Sequence, residues 1–137
     1  MARGRLLVFE GVEGAGKSTQ AGRLLRDLAS SGHGCLVREP GGTPLGERIR
    51  AILLADQGEM TPAAEALLFM ASRAELVERV IRPALDRGAV VIADRFFLST
   101  YAYQCGGREL PERTVREANA LATGGLVPDL TLLLRMP

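Results

Sequence analysis

Residues 11–18 read Gly-Val-Glu-Gly-Ala-Gly-Lys-Ser, the pattern Gly-x-x-x-x-Gly-Lys-Ser/Thr. They follow a short apolar run, 5–10, and precede a stretch of helical periodicity, the strand-to-helix setting in which such a loop cradles phosphate. Glycines let successive backbone N–H groups turn inward around an anion, and the start of the helix adds its positive dipole end. Lys17 supplies a compact mobile charge to the terminal phosphates, and the Ser18 hydroxyl is placed for Mg2+. Of the seventeen basic residues in this 137-residue chain, sixteen are arginine and Lys17 is the only lysine. The pattern predicts that Gly11, Val12, Glu13, Gly14, Ala15, Gly16, Lys17, Ser18 and Thr19 bind a nucleoside triphosphate such as ATP. Glu13 is the oddity, because an acid pointing into an anion site is repelled by it. It must face away, toward solvent or a second ligand.

Beyond the loop, strand and helix signals alternate. Apolar runs at 5–10, 35–37, 89–93 and 130–134 read as strands, the third apolar throughout as a strand covered on both faces should be. Helical periodicity spans 17–30, 45–55 and 62–87, the last kinked near Pro83, and a further helix opens at Pro111 and reaches about Ala122. Pro40-Gly41-Gly42-Thr43-Pro44 reads as a loop. Strands separated by helices imply right-handed crossovers, giving an α/β, P-loop NTPase-type parallel sheet with helices on both faces. No repeat or linker interrupts residues 1–137, so a single domain is expected. The chain stops at Pro137 directly after a strand, which predicts the N-terminal part of something longer.

Composition narrows the partners. Seventeen basic and sixteen acidic residues leave a net charge of +1, with no broad basic field for nucleic acid or an anionic membrane. No apolar stretch approaches a membrane span, and no signal peptide is visible. Cys35 and Cys105 read as free thiols in a reducing compartment, so a cytoplasmic location is expected.

Ligands of open α/β sheets bind beyond the carboxyl ends of the strands. Two Arg/acid pairs fall there: Arg38-Glu39 after the second strand and Asp94-Arg95 after the third. Arginine captures phosphate as a fork, and an acid beside it can hold Mg2+-bound water or orient the arginine. The pairs predict a second phosphate facing the first. Phe69 and Arg73, four apart on a helix, share a face on which a base could stack and find a donor.

With these residues in place, the chain resembles the thymidylate kinases, which pass the ATP γ-phosphoryl group to dTMP. The resemblance runs the length of the chain in order. It rests on Phe9 through Gln20, on Arg38-Glu39-Pro40-Gly41-Gly42-Thr43, and on Phe69 with Arg73. It continues through Asp94-Arg95-Phe96, Ser99 through Gln104, and Pro128-Asp129-Leu130-Thr131. The resemblance implies that Phe69 stacks on thymine and Arg73 bonds its O4, with Thr100 and Gln104 near the other edge and Tyr103 near the sugar. It implies that Glu13 reaches the 3′-hydroxyl, that Arg38 and Arg95 clamp the dTMP phosphate, and that Asp94 and Glu39 stand with Ser18 near Mg2+. It implies a homodimer through helix faces, and catalytic arginines on a mobile lid beyond Pro137, since Glu13-Gly14-Ala15 holds none. Arg135 departs from the acid often found at the end of the fourth strand.

Two other readings fit part of the pattern. A deoxyribonucleoside kinase needs a carboxylate base for a neutral 5′-hydroxyl, a role Glu39 could imitate. A non-catalytic ATP-binding module needs the loop alone. A GTPase reading guanine through Asn-Lys-x-Asp is excluded, because the only lysine is already committed.

Overall fold

The computed structural model describes residues 2–29 and 32–136, the side chain of Tyr103 excepted. Four parallel strands, β1 (Arg5–Gly11), β2 (Gly34–Arg38), β3 (Val90–Asp94) and β4 (Leu130–Leu134), form one sheet in the order β2-β3-β1-β4. Helices α1 (Lys17–Ala29), α2 (Pro44–Ala55), α3 (Pro62–Leu76), α4 (Arg82–Asp86), α5 (Phe97–Thr100) and α6 (Glu112–Thr123) connect them.

The two central strands, β1 and β3, are apolar because both faces are covered. Leu6 and Val8 of β1 with Val91 and Ala93 of β3 point to one side, where they pack on Leu76, Val77, Ile81, Leu85 and Phe96. Phe9 and Ile92 alternate to the other side and meet Ala21, Leu24, Leu25 and Leu28 of α1. A third cluster, Met70 with Val115 and Ala122, joins α3 to α6. Period-two alternation along β1 and β3 thus assigns each residue to one of two helical layers.

Register places the polar groups. Phe9 pairs with Asp94, and Arg38 pairs with the same Asp94, so the carboxyl ends of β1, β2 and β3 line up at one edge. Gly11 sits beside Leu134 with φ 146°, where an added Cβ would lie 2.5 Å from the Leu134 carbonyl oxygen. Only glycine lets the loop leave the sheet there.

The long helical stretch is disturbed near Pro83, where the sequence placed a kink, in a wide π turn, Val77–Ile81, ending two residues before the proline. Proline lacks an N–H and its ring collides with the carbonyl four residues back, so the preceding turn widens to absorb it. Residues 97–107, unassigned from sequence, form α5 followed by a second π-helical run, Tyr101–Gly107. The expected terminus at Pro137 lies outside the described residues. Among the described residues no helix is long and apolar enough to cross a membrane, and both cysteines are free.

Candidate active site

A cleft of about 730 Å3 opens at the carboxyl edge of the sheet. Its walls bring together Glu13, Gly14, Gly16, Lys17, Ser18 and Thr19 from the loop, Arg38 and Glu39 after β2, and Phe69 and Arg73 on α3. Asp94 and Arg95 after β3 and Thr100 and Gln104 on the 97–107 segment complete it. Gly11, Val12 and Ala15 lie in the loop but do not face the cleft, and the Tyr103 side chain lies outside the described residues.

The loop takes its shape from Gly14 (φ 78°) and Gly16 (φ 95°), left-handed positions that a side chain would strain. No acid occupies the first turn of α1, so its N–H groups remain open to an anion. Lys17 is buried, and its Nζ donates to the Val12 carbonyl at 2.8 Å. The Ser18 hydroxyl donates to Asp94 Oδ2 at 2.7 Å, bridging loop and β3. Among the described residues no three His, Cys, Asp or Glu side chains cluster as a metal cage. The Ser18–Asp94 oxygen pair nevertheless fits Mg2+, a hard cation that takes the remainder of its shell from substrate phosphates and water.

The Glu13 carboxylate is exposed and meets Arg95 Nη2 at 2.8 Å, while Arg95 itself is largely covered. Arg95 holds φ 74°, an unusual left-handed position for a non-glycine residue. Buried Glu10 supports that turn by accepting from the backbone N–H groups of Phe96 and Ser99 and from the Ser99 hydroxyl. Desolvation raises the Glu10 carboxyl above its ordinary value, and these hydrogen bonds pull it back. Across the cleft Arg38 is more than half exposed and pairs with Glu47 at 3.3 Å. Glu47 also accepts from the Gly42 N–H, which with Arg38 holds its carboxyl below the ordinary value. The loop after β2 is pinned by Gly41 N–H donating to buried Ser72 and by Arg50 donating to the Pro40 carbonyl.

The part of the cleft expected to take a base is arranged differently from the expectation. Phe69 lines the cleft, but the Arg73 guanidinium does not lie free beside it. Arg73 is buried, with Nε and Nη2 on Glu39 at 2.6–3.0 Å, Nη2 also on Thr100 at 2.8 Å, and Nη1 on Asn119 at 2.7 Å. Its guanidinium stands 5.3 Å from the Phe96 ring centroid. Glu39, expected near Mg2+ or as a base, gives both oxygens to Arg73 and is almost wholly buried. Burial pushes its carboxyl up from the ordinary value, opposed by the Arg73 charge. A carboxylate so committed is not placed to take a proton from a 5′-hydroxyl.

Sequence reasoning missed Asn119, Ser72, Glu47, Glu10 and Glu65. Asn119 alone carried a signal: it falls four residues after Val115 and three before Ala122, a polar side chain on an apolar helix face. Such a residue needs a buried partner, and Arg73 provides it.

The thymidylate kinase family model matches residues 9–137. The chain is 55% identical over 132 residues to a thymidylate kinase of Thermomicrobium roseum, covering 96% of this chain and 62% of the relative. It is 50% identical over 135 residues to a thymidylate kinase of Deinococcus radiodurans, covering 98% and 66%. The crystal structure of a thymidylate kinase from Ehrlichia chaffeensis superposes with a TM-score of 0.91 at 35% identity, over 97% of this chain and 72% of that one. The chain thus spans about three fifths of the length of these curated relatives.

Proposed function

The chain belongs to the thymidylate kinase family, and we propose that it binds ATP and dTMP end to end and transfers the γ-phosphoryl group to dTMP, giving dTDP and ADP. The observation carrying this reading is one cleft with Lys17 and the open start of α1 at one wall and Arg38, Arg95 and Phe69 at the other.

Little covalent assistance is required, because the acceptor is already an anionic phosphate oxygen. That oxygen attacks the γ-phosphorus as the bond to the β–γ bridging oxygen breaks, and ADP leaves with the electron pair. The protein's part is alignment and charge neutralisation. In this reading Lys17 leaves the Val12 carbonyl for the terminal phosphates, while Arg38 and Arg95 exchange Glu47 and Glu13 for the dTMP phosphate. Glu13, released, lies near the sugar 3′-hydroxyl, and Tyr103 is assigned to the sugar beside it. Ser18 and Asp94 would hold Mg2+, which supplies charge compensation between the phosphates when bound. Phe69 stacks on thymine. Thr100 accepts from Arg73, which leaves its hydroxyl proton for a base carbonyl, so Arg73 acts on the base through Thr100. Glu39 and Asn119 hold Arg73 in place.

Residues 1–137 form one domain in this reading, and the lid with its arginines lies outside them. A homodimer is proposed through helix faces, supported by exposed Ile52 on α2, Leu67 on α3 and Leu121 on α6. A cytoplasmic enzyme without nucleic-acid or membrane partners fits the balanced charge.

Coupled ADP release with dTMP or thymidine as acceptor tests the proposal. Transfer to dTMP and not thymidine is expected, and faster in the chain extended through a lid. Preference for thymidine, or ATP binding with no effect of dTMP on thermal stability, would refute it.

A further inference from the structure

Gln104 is completely buried at the cleft wall, and its Oε1 is the one buried side-chain polar atom among the described residues without a hydrogen-bond partner. Its Nε2 donates to Glu65 Oε1 at 3.0 Å. Glu65, on the first turn of α3, is held by Arg108 Nη1 at 3.4 Å, and Arg108 Nη2 donates to the Met60 carbonyl at 2.9 Å. These contacts tie α3, the loop before it and the 97–107 segment together.

We propose that Glu65 is a specificity-determining positioning residue, fixing the Gln104 amide so that its oxygen awaits an N–H donor from the base of the acceptor nucleotide. An ionised carboxylate only accepts hydrogen bonds, so it can face only the NH2 end of an amide. The oxygen end is therefore turned from Glu65 and left unpaired, in a residue that lines the same cleft as Thr100 and Phe69. An unpaired buried acceptor is costly, and a donor from the ligand removes that cost. Thymine and uracil present N3–H as a donor between two carbonyls, whereas cytosine presents N3 as an acceptor. A cytosine base would oppose two acceptors and leave both unsatisfied. Glu65 thereby rejects cytosine without touching it, through an amide whose polarity it sets.

This inference rests on dTMP being the acceptor, and calorimetric binding of dTMP and dCMP to the full chain separates the two claims. Wild type binds dTMP about a hundredfold or more tighter than dCMP. Glu65→Gln, which lets the Gln104 amide turn either way, narrows that ratio by about tenfold or more, with dCMP gaining relative to dTMP. Arg108→Met, which loosens Glu65 from the far side, narrows it in the same direction and serves if Glu65→Gln does not fold. Both nucleotides weakening equally in the variants, with wild-type preference intact, overturns the role of Glu65 and leaves the dTMP assignment standing. A wild type that binds neither nucleotide, or both alike, overturns both.

Discussion

The two arginine sites of the cleft are built on opposite principles. Arg73, assigned to the base end in the proposed reading, is 2% exposed and every donor is committed, to Glu39, Thr100, Asn119 and the Met70 sulfur. Arg38, assigned to the phosphate end in the proposed reading, is 56% exposed and holds a single long contact to Glu47. In that reading a neutral base would be met by a rigid wall whose hydrogen bonds are already in place. A transferring phosphate would bring charge, so its arginines would wait on exposed carboxylates that are cheaply left. Rigidity would then sit where shape is read, and exchangeable pairs where charge arrives.

The sharpest way to break the contrast is Arg73→Leu. It strands Glu39 as a buried unpaired carboxylate and lowers stability by about 3–5 kcal/mol, read as a shift in the denaturant midpoint. Arg73→Leu combined with Glu39→Gln restores much of that loss, which a simple packing defect would not allow. Arg38→Ala does the reverse: stability stays within about 0.5 kcal/mol. Affinity for dTMP falls by about ten- to a hundredfold, the worth of charge-assisted hydrogen bonds, with thymidine unaffected. Equal effects of the two substitutions on folding would erase the distinction.

A smaller effect belongs to the far edge of the sheet. Asp129 accepts from the Leu6 N–H at 2.7 Å and from Arg3 at 3.1 Å, latching the start of β4 onto β1. The Leu6 hydrogen bond, with Arg3 beside it, holds its carboxyl below the ordinary Asp value. Its contribution is therefore full above that ordinary value and is lost as pH falls through the depressed folded one. Asp129→Asn is expected to cost about 1 kcal/mol at neutral pH and to flatten the acid side of the stability profile, measured by thermal melts across pH.

Much of the frame was legible from local pattern. β1 and β3 are short apolar runs because they are covered, and the loop announces itself because only glycines and a lysine meet its geometry. The 97–107 segment was not legible: its buried residues, Thr100 and Gln104, are polar and face the cleft, so no apolar period marks the helix. The Arg73 network joins residues 34 and 46 positions apart, and such pairing leaves no spacing in the sequence. Phe69 and Arg73 were rightly placed on one helix, yet which ring the guanidinium faces depends on Phe96, supplied by another element. Glu65 reads from sequence only as an acid in a first helical turn.

The most direct measurement is the affinity of a bisubstrate analogue, adenosine and thymidine joined through a polyphosphate bridge. If both nucleotides occupy one cleft with their phosphates facing, the analogue binds about a hundredfold or more tighter than dTMP alone. That gain disappears in Lys17→Met, whereas Arg38→Ala weakens the analogue and dTMP alike. An analogue that binds no tighter than dTMP, or whose gain survives Lys17→Met, would contradict the account.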